Sequence, residues 1–418
     1  MAELEFTGPV AFNEADLLDA GAVDGSAHGL IFVFEVHGAL DFERADRAYH
    51  YVTRRHDAYR TSFVRGPAGW VRRVHRDCVA VIDHHDLREA PDPEAAARAD
   101  VIARFNAGFD RERPLLLRAY SYRLGPERCW LVFHADHVMM DGLSFAVGLG
   151  EFLLTYLALE GGALPELDPP MQPRAWEAGV RAAIEASGSE PLPPYPADGF
   201  RLLADPGLDG GPDPAGARAT FDLGDPAPVD ALARAAGVSR SAPVVAAMAI
   251  ALSAVARRSD VGFTLIRSGR RDAAASGVIG CLAWGDAWSV AFDPAEPLRA
   301  LLQRADAFIR DLAPARMRTI PETNPPTRRL VLNLNRFGTA LPLPGLQVFP
   351  RLDVQMDVRM WASHDLLVQV FPMPHMTPMV VRYRTSLLSP STVDRFGAAM
   401  TEALRRMVAD LDAPIGGA

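Results

Sequence analysis

The stretch LVFHADHVMMDGLSF, residues 131–145, decides how this chain is read. It opens on an apolar run suited to a buried strand. It closes on Asp-Gly, a tight-turn signal, ahead of a second apolar run with helical spacing. Between the two stand His134, Asp136, His137 and Asp141. A polar group taken out of water without a partner costs roughly a few kcal/mol, so such a cluster needs a reason. Three are open: a metal site, a catalytic loop, or a knot of mutually satisfied hydrogen bonds at a strand end.

For a metal, HADH matches the tail of the HxHxDH pattern of metallo-hydrolases of the β-lactamase type. The leading histidine would fall at position 132, which is Val132, and a missing ligand removes what sets the coordination geometry. His84 and His85 are adjacent, and His364 and His375 stand alone, so no second ligand set offers itself. For a knot, the four polar residues satisfy one another. For catalysis, the pattern is HxxxDG: His137, Asp141, Gly142. A histidine takes up a proton near neutral pH. Asp141 either partners the acid–base group or ties the loop to an arginine, and Gly142, without a Cβ, lets backbone and substrate come close.

The bulk composition narrows the classes. At 418 residues the chain exceeds what one core organises, so two domains are expected. Acids outnumber bases, 52 to 43, for a formal charge of −9, which argues against a nucleic-acid surface. All 43 basic residues are arginine, which excludes a lysine Schiff base or a P-loop lysine. Cys78, Cys129 and Cys281 are widely spaced and form no CxxC pair, as expected in a reducing compartment without disulfides or a zinc knuckle. The N-terminus lacks the apolar core of a signal peptide, and no run reaches about 18 uninterrupted apolar residues. A cytoplasmic protein without a membrane partner is the expectation.

Along the first half, strands are predicted at 29–38, within 69–86, at 115–125 and at 128–134, with helices at 41–60, 92–109 and 143–162. In the last helix Phe145, Leu149, Phe152, Leu153 and Tyr156 recur at helical spacing. Residues 163–217 are rich in Pro, Gly and Asp, interrupted by a helical patch at 173–187. The second half begins again at 217–224. Helices are predicted at 227–237, 241–259, 297–313 and 389–411, the last capped by Ser389 or Ser391. Strands are predicted at 260–269, 285–294, 329–338, 352–362, 365–372 and 378–389. The expected division is an N-terminal lobe at 1–165, a connection at 166–217 and a C-terminal lobe at 218–418.

Three separated segments share one likeness. RRHDAYRTSF (54–63) resembles the RHExLRTxF motif of the condensation domains of non-ribosomal peptide synthetases. GFDRERPLLLRAYSYRLGPERCWLVFHADHVMMDGLSF (108–145) resembles that family's run from FD…PLLR into HHxxxDGxS. The second half is similar more faintly, at VDALARAAGVSRSAPVVAAMAIALSAVARRSDVGF, SGRRDAAASGVIGC and VRYRTSLLSPSTVDRF. The family's opening motif has no counterpart in FTGPVAFNEADLL.

The resemblance implies an α/β (α+β) fold of two chloramphenicol-acetyltransferase-like lobes in a V, with a central tunnel and the motif loop at its middle. It implies that His137 is the catalytic histidine. Asp141 becomes the loop anchor, paired with Arg60, Arg267, Arg270 or Arg271. Asp136 stands where the family has its first histidine, and an adjacent carboxylate favours a charged imidazolium.

The implied chemistry is acyl transfer from a phosphopantetheine thioester to an amine or alcohol, with a backbone N–H near Gly142 helping to hold the oxyanion. No bound cofactor is expected. The donor arrives on a carrier protein acting in trans, since the chain carries no adenylation or carrier module. A coenzyme-A-dependent acyltransferase and a non-catalytic recruitment domain are the alternatives. Ser144, Trp284 and Trp288 are candidate substrate contacts, with helix capping and core packing as their plainer roles. Cys129 and Cys281 are read as packing residues. The basic run WVRRVHR (70–76) is a candidate face for an acidic carrier protein.

Overall fold

The structure is a computed structural model that describes residues 3–11, 14–15, 17–19, 29–187, 204–210, 216–270, 272–312, 330–335, 343–357 and 364–416, with the backbone alone for 355–357. The chain forms two compact units. The first comprises Met1–Ala182, Ser268–Ala283 and Ala340–Met360, and the second Ala183–Arg267, Trp284–Thr339 and Trp361–Ala418. Each is of mixed α/β character.

In the first unit a three-stranded antiparallel sheet runs β1 (Leu4–Pro9), β4 (Gly69–His75), β3 (Thr61–Gly66). A five-stranded sheet has the order β12 (Gln347–Pro350), β2 (Gly29–His37), β7 (Arg128–Asp136), β6 (Leu117–Gly125), β5 (Ile82–Asp86). The helices are α1 (Phe42–Arg55), α2 (Pro93–Ala107), α3 (Gly142–Ala158), α4 (Pro173–Ala186) and the short α8 (Leu352–Asp357). The second unit holds α5 (Pro226–Ala236), α6 (Ala242–Ala256), α7 (Leu298–Arg310) and α9 (Pro390–Ala409). Its six-stranded sheet runs β10 (Trp284–Ala291), β9 (Asp260–Arg267), β11 (Leu330–Leu334), β13 (Leu366–Val370), β14 (Pro378–Arg384), β8 (Gly216–Asp222).

Strand β7 explains why the sequence around it is apolar on consecutive rather than alternate residues. Side chains alternate between faces along a strand, so a run apolar at every position needs cover on both sides. Trp130 and Val132 face Ala97 and Val101 of α2, with Val354 of α8 in the same core. Phe133, on the other face, meets Tyr49 of α1 and both Phe145 and Phe152 of α3. Phe145 also stacks on Phe32 of β2, with ring centroids 3.5 Å apart. By length and mean hydropathy Gly142–Gly161 would qualify as a membrane span. Here Phe145, Gly148, Phe152 and Tyr156 of that helix are buried in the first unit.

Three expectations are sharpened or corrected. First, the expected division at 1–165, 166–217 and 218–418 runs without interruption along the chain, whereas ten of the 14 residues of α4 lie in the first unit and two later segments belong to it. Burial holds α4 there, through Trp176 and Val180. Trp176 Nε1 also donates to the Gly269 carbonyl at 3.2 Å. Residues 188–203 and 211–215 of the predicted connection lie outside the described residues. Second, the strand predicted at 352–362 begins as α8, with the rest outside the described residues. Alternation in LDVQMDV reads as strand, yet Val354 N donates to Arg351 O and closes a turn, and Val354 enters the core. Third, the cap of α9 is Ser389, the first of the two serines expected, and its side chain accepts from Thr392 N.

Phe145 joins α3 to both central strands. Replacing Phe145 by alanine should lower stability by about 3–5 kcal/mol. Denaturant unfolding of the two proteins measures the difference.

Candidate active site

Strand β7 ends when Asp136 N donates to Leu116 O at 2.8 Å, and a turn follows in which Met139 N donates to Asp136 O at 3.2 Å. Helix α3 then starts at Asp141, whose Oδ1 accepts from Ser144 N at 2.7 Å. Five residues therefore separate the end of a buried strand from the start of a buried helix, and the motif histidine sits inside that turn. Every residue from Cys129 to Asp141 is buried except His137, which is partly exposed. Its Nδ1 is enclosed and has no hydrogen-bond partner among the described residues.

Asp141 and Arg270 are each 4% exposed at the side chain and pair at 2.9 Å. Asp141 Oδ2 also accepts from Leu282 N at 3.1 Å and Ala283 N at 3.0 Å, while Asp141 N donates to Gly280 O at 3.2 Å. The remaining Nη hydrogens of Arg270 go to Ser144 Oγ (2.7 Å), Val278 O (2.8 Å) and Ser268 O (2.9 Å). The carboxylate thus caps α3 with one oxygen and gathers Ser268–Ala283 onto the first unit with the other. Gly148, one turn beyond Ser144, keeps the same interface close: a Cβ there would stand 2.1 Å from Tyr59 Oη and 3.3 Å from Ile279.

Of the four arginines considered for Asp141, the structure selects Arg270. Arg60 is instead bound to Asp57 Oδ1 and Glu5 Oε2, both at 2.9 Å, and to His75 O at 2.6 Å. It closes a 3-10 turn (Asp57–Arg60), so its guanidinium folds back three residues and onto β4. Arg267 pairs with Asp286 at 2.7 Å and holds the carbonyls of Phe308 and Ile309 in the second unit. Arg271 lies outside the described residues.

The proposed substrate contacts are also revised. Ser144 Oγ is buried and fully engaged, donating to Gly280 O at 2.6 Å and accepting from Gly280 N at 3.0 Å and from Arg270. It has no capacity left for a substrate. Trp288 stacks on Phe308 at 5.5 Å and meets Phe263 edge-on, which makes it a core residue of the second unit. Trp284 opens β10, buried, opposite Arg267. Burial pushes the Cys129 thiol up to about 12 and the Cys281 thiol well above its usual range, so neither is an active nucleophile.

In the basic run 70–76, Arg72 is not at the surface. It is buried against Glu14 at 2.5 Å and Glu177 at 3.5 Å, and burial pushes the Glu14 carboxyl up despite that guanidinium. Glu14, Arg72, Asp57 and Arg174 line a small cavity whose wall includes Met139 and Gly280, directly behind the motif turn.

His134 shares the cluster but not the site. It is fully buried on β7, with Phe109 at 4.5 Å and Phe105 at 5.2 Å between ring centroids. Neither ring nitrogen has a hydrogen-bond partner among the described residues. Burial, assisted by Arg118, pushes its imidazole down to about 3. Sequence reasoning missed Arg111, whose guanidinium binds Asp136 at 2.8 Å and 3.3 Å. The available signal was Asp136 itself, since a carboxylate at the end of a buried strand requires a cation.

Residues 23–176 match the family model described as Condensation domain. Chondramide synthase cmdD of Chondromyces crocatus is 27% identical over 430 residues, covering 96% of this chain and 11% of that protein. The curated relatives are far larger: the chain spans at most 11% of the length of any of eight matched synthases and synthetases. Among solved structures, the condensation domain from Monacolin K polyketide synthase MokA superimposes with a TM-score of 0.81 at 15% identity, covering 99% of this chain and 100% of that one. The starter condensation domain of rhizomide synthetase RzmA gives a TM-score of 0.77 at 17% identity, with 99% of each chain covered.

Two outcomes follow. Asp141→Asn turns an N–H donor group towards Leu282 N, Ala283 N and Arg270, leaving a buried guanidinium without its counterion. Thermal and denaturant unfolding should show a loss of about 3–5 kcal/mol. For His134, the folded value lies below the unfolded 6.5, so below pH 6.5 protons favour the unfolded chain. Its contribution is intact above that pH and erodes as pH falls towards 3. At pH 5 the loss is about 2 kcal/mol relative to pH 7. His134→Phe should remove that part of the acid sensitivity in urea titrations at the two pH values.

Proposed function

We propose that this chain, a condensation-domain relative by sequence over residues 23–176 and by fold throughout, transfers an acyl or aminoacyl group from a carrier-protein thioester to an amine or alcohol in natural-product biosynthesis. The observation that carries this reading is the lone exposure of His137 in an otherwise buried run from Cys129 to Asp141. A turn that buries every neighbour and leaves this one residue partly exposed suits a group that has to meet reactants.

In the reaction, the acceptor nitrogen or oxygen attacks the thioester carbonyl carbon as His137 takes its proton. A C–N or C–O bond forms, the C–S bond breaks, and the sulfur leaves as a thiol after receiving that proton back from the imidazolium. The tetrahedral intermediate carries negative charge on the former carbonyl oxygen. Gly142 and Leu143 occupy the first turn of α3, where amides have no acceptor within the helix and the dipole favours an anion, so they suit that oxygen. Asp141 does not reach substrate, since its carboxylate is consumed by Ser144, Arg270, Leu282 and Ala283. It acts by holding the turn. Much of the rate comes from bringing two reactants into register at one imidazole.

The test is to supply an acylated carrier protein, or the matching acyl-coenzyme A, with amine and alcohol acceptors and follow the product by mass spectrometry. His137→Ala should lower turnover by about 10²–10⁴-fold. Equal turnover by wild type and His137→Ala would remove the histidine from the chemistry. Transfer from coenzyme A but never from a carrier would make the chain a coenzyme-A-dependent acyltransferase.

A further inference from the structure

Asp136 stands beside His137, where the resemblance expects another histidine, and its surroundings are specific. The carboxylate is 5% exposed and is held by Arg111, Nε to Oδ2 at 2.8 Å and Nη2 to Oδ1 at 3.3 Å. Oδ1 also accepts from Val138 N at 3.0 Å. The Asp136 carbonyl accepts from Met139 N at 3.2 Å. The peptide unit before His137 contains that carbonyl, and the peptide unit after it contains that Val138 amide. Both backbone rotations at His137 are therefore restrained by bonds to one residue, Asp136, and with them the direction in which its Cα–Cβ bond leaves the chain.

Arg111 is tied down in turn. Its carbonyl accepts from Phe63 N at 2.7 Å, and Phe63 is fully buried on β3. The guanidinium is thus referenced to the core rather than to a free loop. On the far side of His137 the side chains of Val138, Met139 and Met140 are buried and act as pegs, and Asp141 closes the turn. A single Asx-type bond from Asp136 to Val138 could swing about the aspartate side chain; the two-point contact with Arg111 prevents this.

From this geometry we infer that Arg111 and Asp136 are positioning residues for His137: a charge-paired strut that fixes the backbone from which the imidazole projects, without touching the reactants. The inference rests on the reading of His137 as the acid–base group. The strut differs from the Asp141–Arg270 pair, which anchors the helix end of the same turn.

The test compares wild type with Arg111→Lys, Asp136→Asn, Arg111→Leu and the double variant Arg111→Leu/Asp136→Asn. The double variant leaves no unpaired charge and so keeps the test usable if Arg111→Leu misfolds. Amide hydrogen exchange at Val138 and Met139, read by NMR, reports the turn without reference to activity. In the folded double variant these two amides should exchange about tenfold faster or more, with the rest of β7 unchanged. In the acyl-transfer assay kcat should fall by about 10–100-fold with KM within about twofold, and Arg111→Lys should recover part of the loss. Unchanged exchange at both amides, or an unchanged kcat in the double variant, would overturn the strut. A fully active His137→Ala would sink the functional reading instead, and would leave the exchange result standing.

Discussion

A carboxylate with 4% of its side chain exposed must be compensated by donors, and Asp141 has four. One oxygen caps a helix; the other collects a guanidinium and two backbone amides from Leu282 and Ala283. That single group joins α3 to a segment whose Arg270 lies 129 residues further along the chain. Helix capping and segment capture are usually separate tasks. Here one side chain performs both, so the start of α3 and the path of Ser268–Ala283 are set together.

Around this anchor the remaining polar residues divide the labour. Asp136 and Arg111 hold the strand end, Ser144 bonds both backbone groups of Gly280, and His134 is enclosed by aromatic rings as a neutral imidazole. What is left is His137, partly exposed, on a turn with little freedom to move. A group that transfers a proton between two reactants benefits from this arrangement, because orientation lost by the catalyst is lost as rate.

The elements of the first unit were legible because their physics is local. Binary patterning and turn residues placed β2, β7, α2 and α3 to within a few residues of where they lie. The strand at 352–362 was misread because alternation in LDVQMDV outweighed the docking of Val354 into a distant core. Strands β1, β3 and β12 carried too few apolar residues to stand out. The motif HxxxDG was legible as chemistry, and an arginine partner for Asp141 was foreseeable from the cost of a buried carboxylate. Which arginine it would be was not: Arg60 is nearer in the sequence, and Arg270 is nearer in space.

From the residues alone came the α/β class and the polar turn at 134–142, while the choice of His137 within it is what the resemblance to condensation domains implies. The class and the turn rest on periodicity, turn chemistry and side-chain type, which act over a few residues. Folding decided the partners: Arg270 for Asp141, Arg111 for Asp136, core duty for Trp288 and a fully bonded interior for Ser144. Only packing could decide these, because an ion pair or a buried hydroxyl is satisfied by whatever the fold brings within about 3 Å, however far away it lies along the chain.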